Sequence, residues 1–324
     1  MRKEILILTQ DVDSHADDMV MFLKKRGVRP RRFHTKDFPG AAAISAELSG
    51  RNRGGISIRY PGGRVSAERV KSVWNRRPDK CAVPESVPPA EREFASRESE
   101  LTLQGVYRVL GGLWVNEPDK NRTANSKLIQ LSTARRLGMR VPDTLITNDP
   151  KKFHEFYRAH DGKVIIKTQH PWQAAERLDE AVYTTMIDKD KVKHMGRIKN
   201  CPCLFQEYIP KEFELRITVI GRRVFAMAIH SQRVAESVVD WRKAETGVVP
   251  QEPYALPKTV EARILKFMDA FGLVYGAIDM VVTPRGEHVF LEINPNGQFG
   301  WLQDSKKMPL YEAFTDLLIA GKAS

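Results

Sequence analysis

The hydrophobic pattern opens with a short apolar run, Glu4–Thr9, which predicts a buried strand. A helix capped by Ser14 is expected to run to about Arg26 and stop at Gly27, and residues 28–34 return as a second strand. Strand, helix, strand is the start of an α/β domain. Ile56–Tyr60 and Arg64–Ser66 flank Pro61-Gly62-Gly63, a hairpin signal, and Ser72–Asn75 reads as a further strand. Pro84, Pro88 and Pro89 make residues 81–90 a loop. A helix is expected over 91–110, with Phe94, Leu101, Val106 and Leu110 among its apolar positions. Trp114-Val115-Asn116 then leads to Glu117-Pro118, where the first domain boundary is placed.

Beyond that boundary the pattern predicts a helix over 124–137, a strand at Thr144–Thr147, and a helix opened by Asp149 as N-cap and Pro150 in its first turn. Residues 163–168 alternate with period two, Val164 and Ile166 on one face, Ile165 and Lys167 on the other. Leu204–Ile209 reads as a strand, and Phe213–Ile220 with Arg223–His230 as a hairpin around Gly221-Arg222. A helix at 258–271 closed by Gly272, a hairpin pairing Ala277–Val282 with His288–Asn294, and an amphipathic helix at 310–320 complete the chain. The expected division is an N-terminal α/β domain over 1–117, a central subdomain over 118–203 and a C-terminal subdomain over 204–324.

The charge balance of the 324 residues, 52 Lys+Arg against 40 Asp+Glu, leaves +12 and favours an acidic partner: nucleic acid, nucleotide or acidic peptide. No zinc-finger spacing or RNA-recognition aromatic motif supports nucleic acid. No stretch is apolar enough to span a membrane, and the amino terminus does not read as a signal peptide, so a cytoplasmic protein is expected. Three cysteines are too few for a disulfide framework. Cys201-Pro-Cys203 has only His194 nearby as a further ligand, so two small apolar residues leading into a strand is the better reading than a metal site.

Three signals carry chemistry. In the final hairpin Glu292 and Asn294 project to one face, and antiparallel pairing can bring Asp279 beside them. These hard oxygen ligands suit Mg²⁺, although alone they equally describe the polar face of a surface hairpin. Lys167 ends an apolar strand, where burial requires an anion such as a phosphate; the alternative is a head group that reaches solvent. The run Phe205–Pro210, followed by Glu212, Glu214 and Arg216, offers backbone groups to an adenine edge and a carboxylate to its amino group or the ribose; it also fits a salt-bridged strand face. Neither standard glycine loop for phosphate is present.

The order of these signals resembles the ATP-grasp superfamily over residues 118–300. Asp37-Phe-Pro39, Val73-Trp-Asn-Arg-Arg-Pro78, Trp114-Val-Asn116, Lys127, Val141-Pro142, Thr147-Asn-Asp149 and Asp240-Trp-Arg242 extend the resemblance nearly end to end, to the microviridin-type (graspetide) peptide macrocyclases. The resemblance implies an ATP-grasp fold: an N-terminal pre-ATP-grasp α/β domain and two α+β subdomains clamping ATP between antiparallel sheets. It implies an ADP-forming ligase that activates Asp or Glu side chains of an acidic ribosomal precursor peptide as acyl phosphates, closing ester or amide rings with Ser/Thr or Lys. Lys127 and Lys167 would hold phosphates, Glu207 with the backbone near Tyr208 and Ile209 the adenine, and Glu214 the ribose. Asp279, Glu292 and Asn294 would bind two Mg²⁺ with Glu292 bridging, and Arg216 and Arg242 would stabilise anionic intermediates. A homodimer is also implied. The segment after Lys167, residues 168–176, lacks the glycines that many ATP-grasp enzymes place over the phosphates. If helical, residues 188–199 would align Lys189, Lys193 and Arg197 on one face, a dock for an acidic leader segment of the peptide. Two other readings compete: a ligase of glutathione-synthetase or glutamate-adding type acting on a small molecule or protein tail, and a noncatalytic nucleotide or nucleic-acid binder.

Overall fold

In this computed structural model, which describes residues 4–48, 55–169, 173–174, 177–181, 184–245, 247–306 and 308–323, the chain builds its first sheet from four parallel strands. They are β1 (Glu4–Thr9), β2 (Arg31–His34), β6 (Val70–Asn75) and β7 (Leu113–Val115), in the order β2-β1-β6-β7. Ile5 through Thr9 are all buried, as a parallel strand covered on both faces requires. β2 begins at Arg31 and not at residue 28, because Pro30 has no N–H to give a ladder. The intervening helix α1 (Ser14–Lys25) is capped by Asp13, not by the expected Ser14. The Asp13 carboxylate accepts the Ala16 N–H at 3.3 Å and the Thr9 hydroxyl at 2.7 Å, and it pairs with the buried Arg76 at 3.3 Å. A contact made 63 residues downstream therefore holds the cap in place.

A small antiparallel sheet of β3 (Ala43–Glu47), β4 (Gly55–Tyr60) and β5 (Gly63–Ser66) sits beside the first. β3, which the pattern did not show, is an edge strand whose last three residues are exposed. Helix α2 (Pro89–Val109) buries Ser99, Leu103 and Val106, and Leu110 follows them into the core. Phe94 and Leu101, expected to share that stripe, lie off it and are 70% and 63% exposed.

The expected helix over 124–137 is α4 (Lys127–Arg136), which starts three residues later than expected, after a break from a separate helix α3 (Pro118–Ala124). The break is held from outside. The Gln130 amide donates to Ala124 O at 2.5 Å and to Ile293 O at 3.0 Å, and accepts the Ile293 N–H at 3.0 Å. α4 is thus fastened to the last strand of the C-terminal sheet, which fixes where Lys127 stands.

The central antiparallel sheet contains β8 (Thr144–Thr147), β9 (Val164–Lys167), β12 (Thr185–Met186) and β13 (Cys203–Glu207), ordered β12-β9-β13-β8. A two-stranded hairpin, β10 (Gln173–Ala174) with β11 (Arg177–Ala181), lies between β9 and β12 in sequence. Helix α5 (Pro150–Ala159) has the expected Asp149 cap, which accepts the Lys151 N–H at 2.8 Å, and packs Phe153 on Phe205 at 4.7 Å. Because β13 pairs with β8 and β9, this sheet runs to Glu207 and is not divided at 203/204. Between β12 and β13, α6 (Lys189–Lys193) ends at His194 and residues 195–200 form a 3₁₀ stretch.

The C-terminal sheet has five antiparallel strands in the order β16-β15-β14-β17-β18: β14 (Phe213–Ile220), β15 (Arg223–Ile229), β16 (Gln251–Pro253), β17 (Tyr275–Val282) and β18 (His288–Asn294). α7 (Lys258–Phe271) buries Ile264, Phe267 and Met268 against it and ends at Gly272, whose φ of 61° suits glycine. After an unpredicted α8 (Gly300–Lys306), α9 (Leu310–Ala320) returns to the first sheet, where Phe314 meets Trp74 at 5.0 Å. Among the described residues no helix is long and apolar enough to cross a membrane.

His15 ties α1 to the loop after β18: its Nε2 accepts the N–H groups of Phe299 (3.1 Å) and Gly300 (2.8 Å). Burial, then the nearby Arg76 charge, hold its pKa down at about 4, so the ring is neutral near pH 7. Between 6.5 and 4 the unfolded chain binds the proton that the folded chain refuses, so stability falls as pH drops through this window, by at most roughly 3 kcal/mol. Urea melts of the wild type and His15→Asn at pH 7 and pH 4.5 should show a smaller pH-dependent loss in the variant. Equal losses would remove His15 as their source.

Candidate active site: a cleft between two antiparallel sheets

The central and C-terminal sheets face each other across a cleft of about 580 Å³. One wall follows from register. Leu204 lies opposite Lys167 and Gln206 opposite Ile165, so these four share a face, while Phe205 and Ile166 point to the core under α5. The other wall is β14, β17 and β18. Asp279 pairs directly with Glu292, and a bulge follows: Met280 is opposite Phe290, leaving Leu291 as the extra residue. Leu291 and Glu292 therefore both line the cleft.

The charges in the cleft are mostly matched. Lys127, from the first turn of α4, forms a short ion pair with Glu292. Burial alone would raise the Glu292 pKa, but Lys127 and then Lys167 hold it down at about 2, so the carboxylate is ionised. Burial lowers the pKa of Lys167, and Glu292 opposes that shift. Arg216 Nη1 reaches both oxygens of Asp279, at 2.9 and 3.1 Å, and Nη2 donates to Gln298 O at 3.2 Å. Arg242 donates twice to Asp240, at 2.8 and 2.6 Å, and Asp240 is 4% exposed. Lys211 pairs with Glu214 at 2.6 Å; burial outweighs this lysine and raises the Glu214 pKa.

The first-sheet side also matches a known family: residues 4–122 correspond to the family described as the MvdD pre-ATP grasp domain. Over its whole length the chain is similar to macrocyclase MdnC of Microcystis aeruginosa MRC, solved with precursor peptide MdnA: 31% identity, 98% of this chain and 100% of that one, TM-score 0.85. The chain belongs to the graspetide-type ATP-grasp ligases. A RiPP-associated ATP-grasp ligase of Chryseobacterium gregarium, solved with ADP and a leader and core peptide, is 30% identical over 99% of this chain and 98% of that one, with a TM-score of 0.90. D-cycloserine synthetase DcsG, at 14% identity and a TM-score of 0.60, shares the fold alone. No curated protein sequence matches the chain.

Of the site residues expected from the ligase's sequence, Lys127, Lys167, Glu207, Tyr208, Ile209, Glu214, Arg242, Asp279 and Glu292 all border the cleft. Arg216 stands behind Asp279 and is joined to the site by their ion pair. Asn294 lies two residues past Glu292 on the same strand, and its Oδ1 accepts the Asn296 N–H at 2.9 Å. Glu207 follows Gln206, so strand alternation turns it to the opposite face; its carboxylate accepts the Asp143 N–H at 2.9 Å and neighbours His160. Gln206, to which the motif reading gave no role, is a buried residue of the cleft wall. It is 2% exposed, its Nε2 donates to Thr144 Oγ1 at 3.0 Å, and its Oε1 has no donor among the described residues. The alternation already noted for β9 would have pointed to it. Lys211, Asp240 and Arg77 also line the cleft and were not assigned as site residues.

Lys189, Lys193 and Arg197 do not form one helical face, because α6 stops before Arg197. Asp188 caps α6 with its Oδ1, at 3.1 and 2.8 Å from the N–H groups of Asp190 and Lys191, and Lys193 pairs with Asp190. Of the glycine-free segment after Lys167, residues 170–172 and 175–176 lie outside the described residues. Cys81, Cys201 and Cys203 are free thiols.

Proposed function

We propose that this ligase uses ATP to activate carboxylate side chains of an acidic ribosomal precursor peptide and then closes ester or amide rings. The observation that carries this reading is the pairing of Asp279 with Glu292 on adjacent strands, with Lys127 and Lys167 both acting on Glu292. Two carboxylates among cations suit Mg²⁺ and phosphates together. An isolated polyanion binder gains nothing from buried anions. The oxygens of Asp279, Glu292 and Asn294 form a hard donor set that fits two Mg²⁺ ions. Mg²⁺ bound there supplies charge neutralisation on the transferring phosphoryl group.

The chain's own groups do the rest. Lys127 and Lys167 hold phosphate oxygens. Gln206 Oε1, a buried acceptor without a donor among the described residues, suits the amino group of adenine beside Tyr208 and Ile209, with Glu207 at the border and Glu214 toward the ribose. A peptide carboxylate oxygen attacks the γ-phosphorus, the β–γ P–O bond breaks, and ADP leaves. A Ser/Thr hydroxyl or Lys amine then attacks the acyl carbon, the C–O bond to phosphate breaks, and the nucleophile's proton passes to solvent. Arg216 and Arg242 stabilise the developing oxyanions, and their carboxylate partners hold the guanidiniums in place.

Incubation with ATP, Mg²⁺ and a panel of acidic peptides should give ADP, together with loss of one water per bond formed in the peptide. ADP release with small amino acids but with no peptide would replace this reading by a small-molecule ligase. Leader docking at Lys189, Lys193 and Arg197 now rests on charge without a shared helical face. Charge reversal at these three should raise the KM of leader-bearing peptide several-fold at low salt and less at high salt. An unchanged KM at low salt would end the docking idea.

A further inference from the structure

Asn116 ends the Trp114-Val115-Asn116 motif and stands just past β7, at the carboxyl edge of the first sheet. It does not border the cleft. It is 1% exposed, and its side-chain amide is fully engaged. Nδ2 donates to Tyr275 O at 2.9 Å and to Pro295 O at 3.0 Å. Oδ1 accepts the Val274 N–H at 2.8 Å and the Tyr275 N–H at 3.0 Å. Two donors and two acceptor sites are all that an amide has. The Asn116 carbonyl in turn accepts the Asn75 amide at 3.2 Å, from the end of the neighbouring strand β6.

The last backbone pair of the β17–β18 ladder is Ala277 with Asn294. Beyond it β18 ends, and the Asn116 amide joins Tyr275 on β17 to Pro295 after β18, where a further rung would stand. A side-chain amide offers the same N–H and C=O groups as a backbone peptide. A residue of the first sheet thus closes the ladder that carries Asp279, Glu292 and Asn294. The turn that follows is held from the same side. Arg76 Nη1 donates to Asn296 O at 2.7 Å, and the Asn121 amide donates to the Asn296 side chain at 3.1 Å. The Asn296 N–H donates to Asn294 Oδ1 at 2.9 Å, which aims the Asn294 side chain. The turn also lies close on β17: a Cβ at Gly297 would come within 2.5 Å of the Ala277 Cβ.

We propose that Asn116 is a positioning residue for Asn294, so that a side chain outside the cleft sets the metal affinity inside it. The inference rests on the reading of Asp279, Glu292 and Asn294 as the Mg²⁺ site and deepens it. Groups that orient a metal ligand from behind change metal affinity by roughly tenfold to a hundredfold. Asn294 depends on such support more than the two carboxylates do. Its oxygen is neutral and attracts the cation less, and it sits at the strand end, where the ladder stops holding the backbone.

The test reads the Mg²⁺ concentration that gives half of the thermal upshift at saturating ADP. If the wild type shows no Mg²⁺-dependent upshift, or Asn294→Ala leaves the requirement unchanged, the metal reading itself fails and the proposal falls with it. Asn116→Asp keeps the shape and the acceptor oxygen but removes both donors. It should raise the Mg²⁺ requirement by roughly tenfold to a hundredfold. Its ADP affinity in EDTA, read by calorimetry, should match the wild type. A purely structural residue would lower the melting temperature and leave the Mg²⁺ requirement alone. In an Asn294→Ala background, Asn116→Asp should add little, because its effect passes through Asn294. Full addition there assigns the effect to the fold at large and overturns the proposal. If Asn116→Asp does not fold, Asn121→Ala loosens the same turn by one hydrogen bond and should raise the requirement several-fold. An unchanged Mg²⁺ requirement in the folded variant overturns the assignment while leaving the Mg²⁺ site and the ligase reading intact.

Discussion

Under the proposed ligase reading, Glu292→Gln is expected to lower single-turnover ring formation by on the order of a hundredfold to a thousandfold, the usual cost of removing one electrostatic group aimed at a transition state. The substitution keeps the shape and removes a unit of charge. That charge has two duties in this cleft. It balances Lys127 and Lys167, and in the proposed metal site it is one of the two carboxylates, paired with Asp279. An amide does neither, so the thermal upshift that Mg²⁺ and ADP give the wild type should shrink in the variant. The unliganded protein should also melt lower, because two ammonium groups lose their counter-charge. Mass spectrometry of the peptide and melting curves with and without Mg²⁺–ADP check both parts. Near-normal turnover with an unaltered Mg²⁺ requirement would take Glu292 out of the metal site.

Lys167→Met separates binding from stability in opposite directions. Burial depresses the Lys167 pKa, and without a close ion pair among the described residues the half-buried ammonium is a cost to the unliganded fold. Methionine keeps the length and packs on Ile165 and Leu204 without that cost, so the empty protein should melt at the same temperature or higher. Nucleotide affinity should nevertheless fall by about tenfold to a hundredfold, the worth of a buried charge-assisted phosphate contact. Calorimetry with ATP decides the point. An unchanged affinity would mean that Lys167 is a structural lysine.

The sequence by itself determined what contiguous residues control. The β17–β18 hairpin was legible because both strands and their turn lie within 20 residues, so the period of two placed Glu292 and Asn294 on one face and allowed Asp279 beside them. Lys167 was legible because four alternating residues set its face, and the Asp149 cap because the cap and the N–H it accepts lie two residues apart. The order of such segments was enough for the family, since ATP-grasp motifs are spread along the chain in sequence.

Tertiary structure decided everything that needed a partner from far away. Which face of β13 meets the cleft follows from its register with β9, and that register makes Gln206 the cleft residue and turns the Glu207 carboxylate toward Asp143. Phe94 and Leu101 are apolar at helical spacing, yet only packing shows which stripe of α2 the core covers. The α1 cap went to Asp13 because Arg76 is there, and α4 starts at Lys127, after a break from α3, where Gln130 spans Ala124 and Ile293. Arg77 is the plainest instance. In the sequence it is one basic residue among 52, and nothing local distinguishes it from its neighbour. Only the fold shows that Arg76 has a buried carboxylate and that Arg77 has none among the described residues, because ion pairing is settled by distance in space.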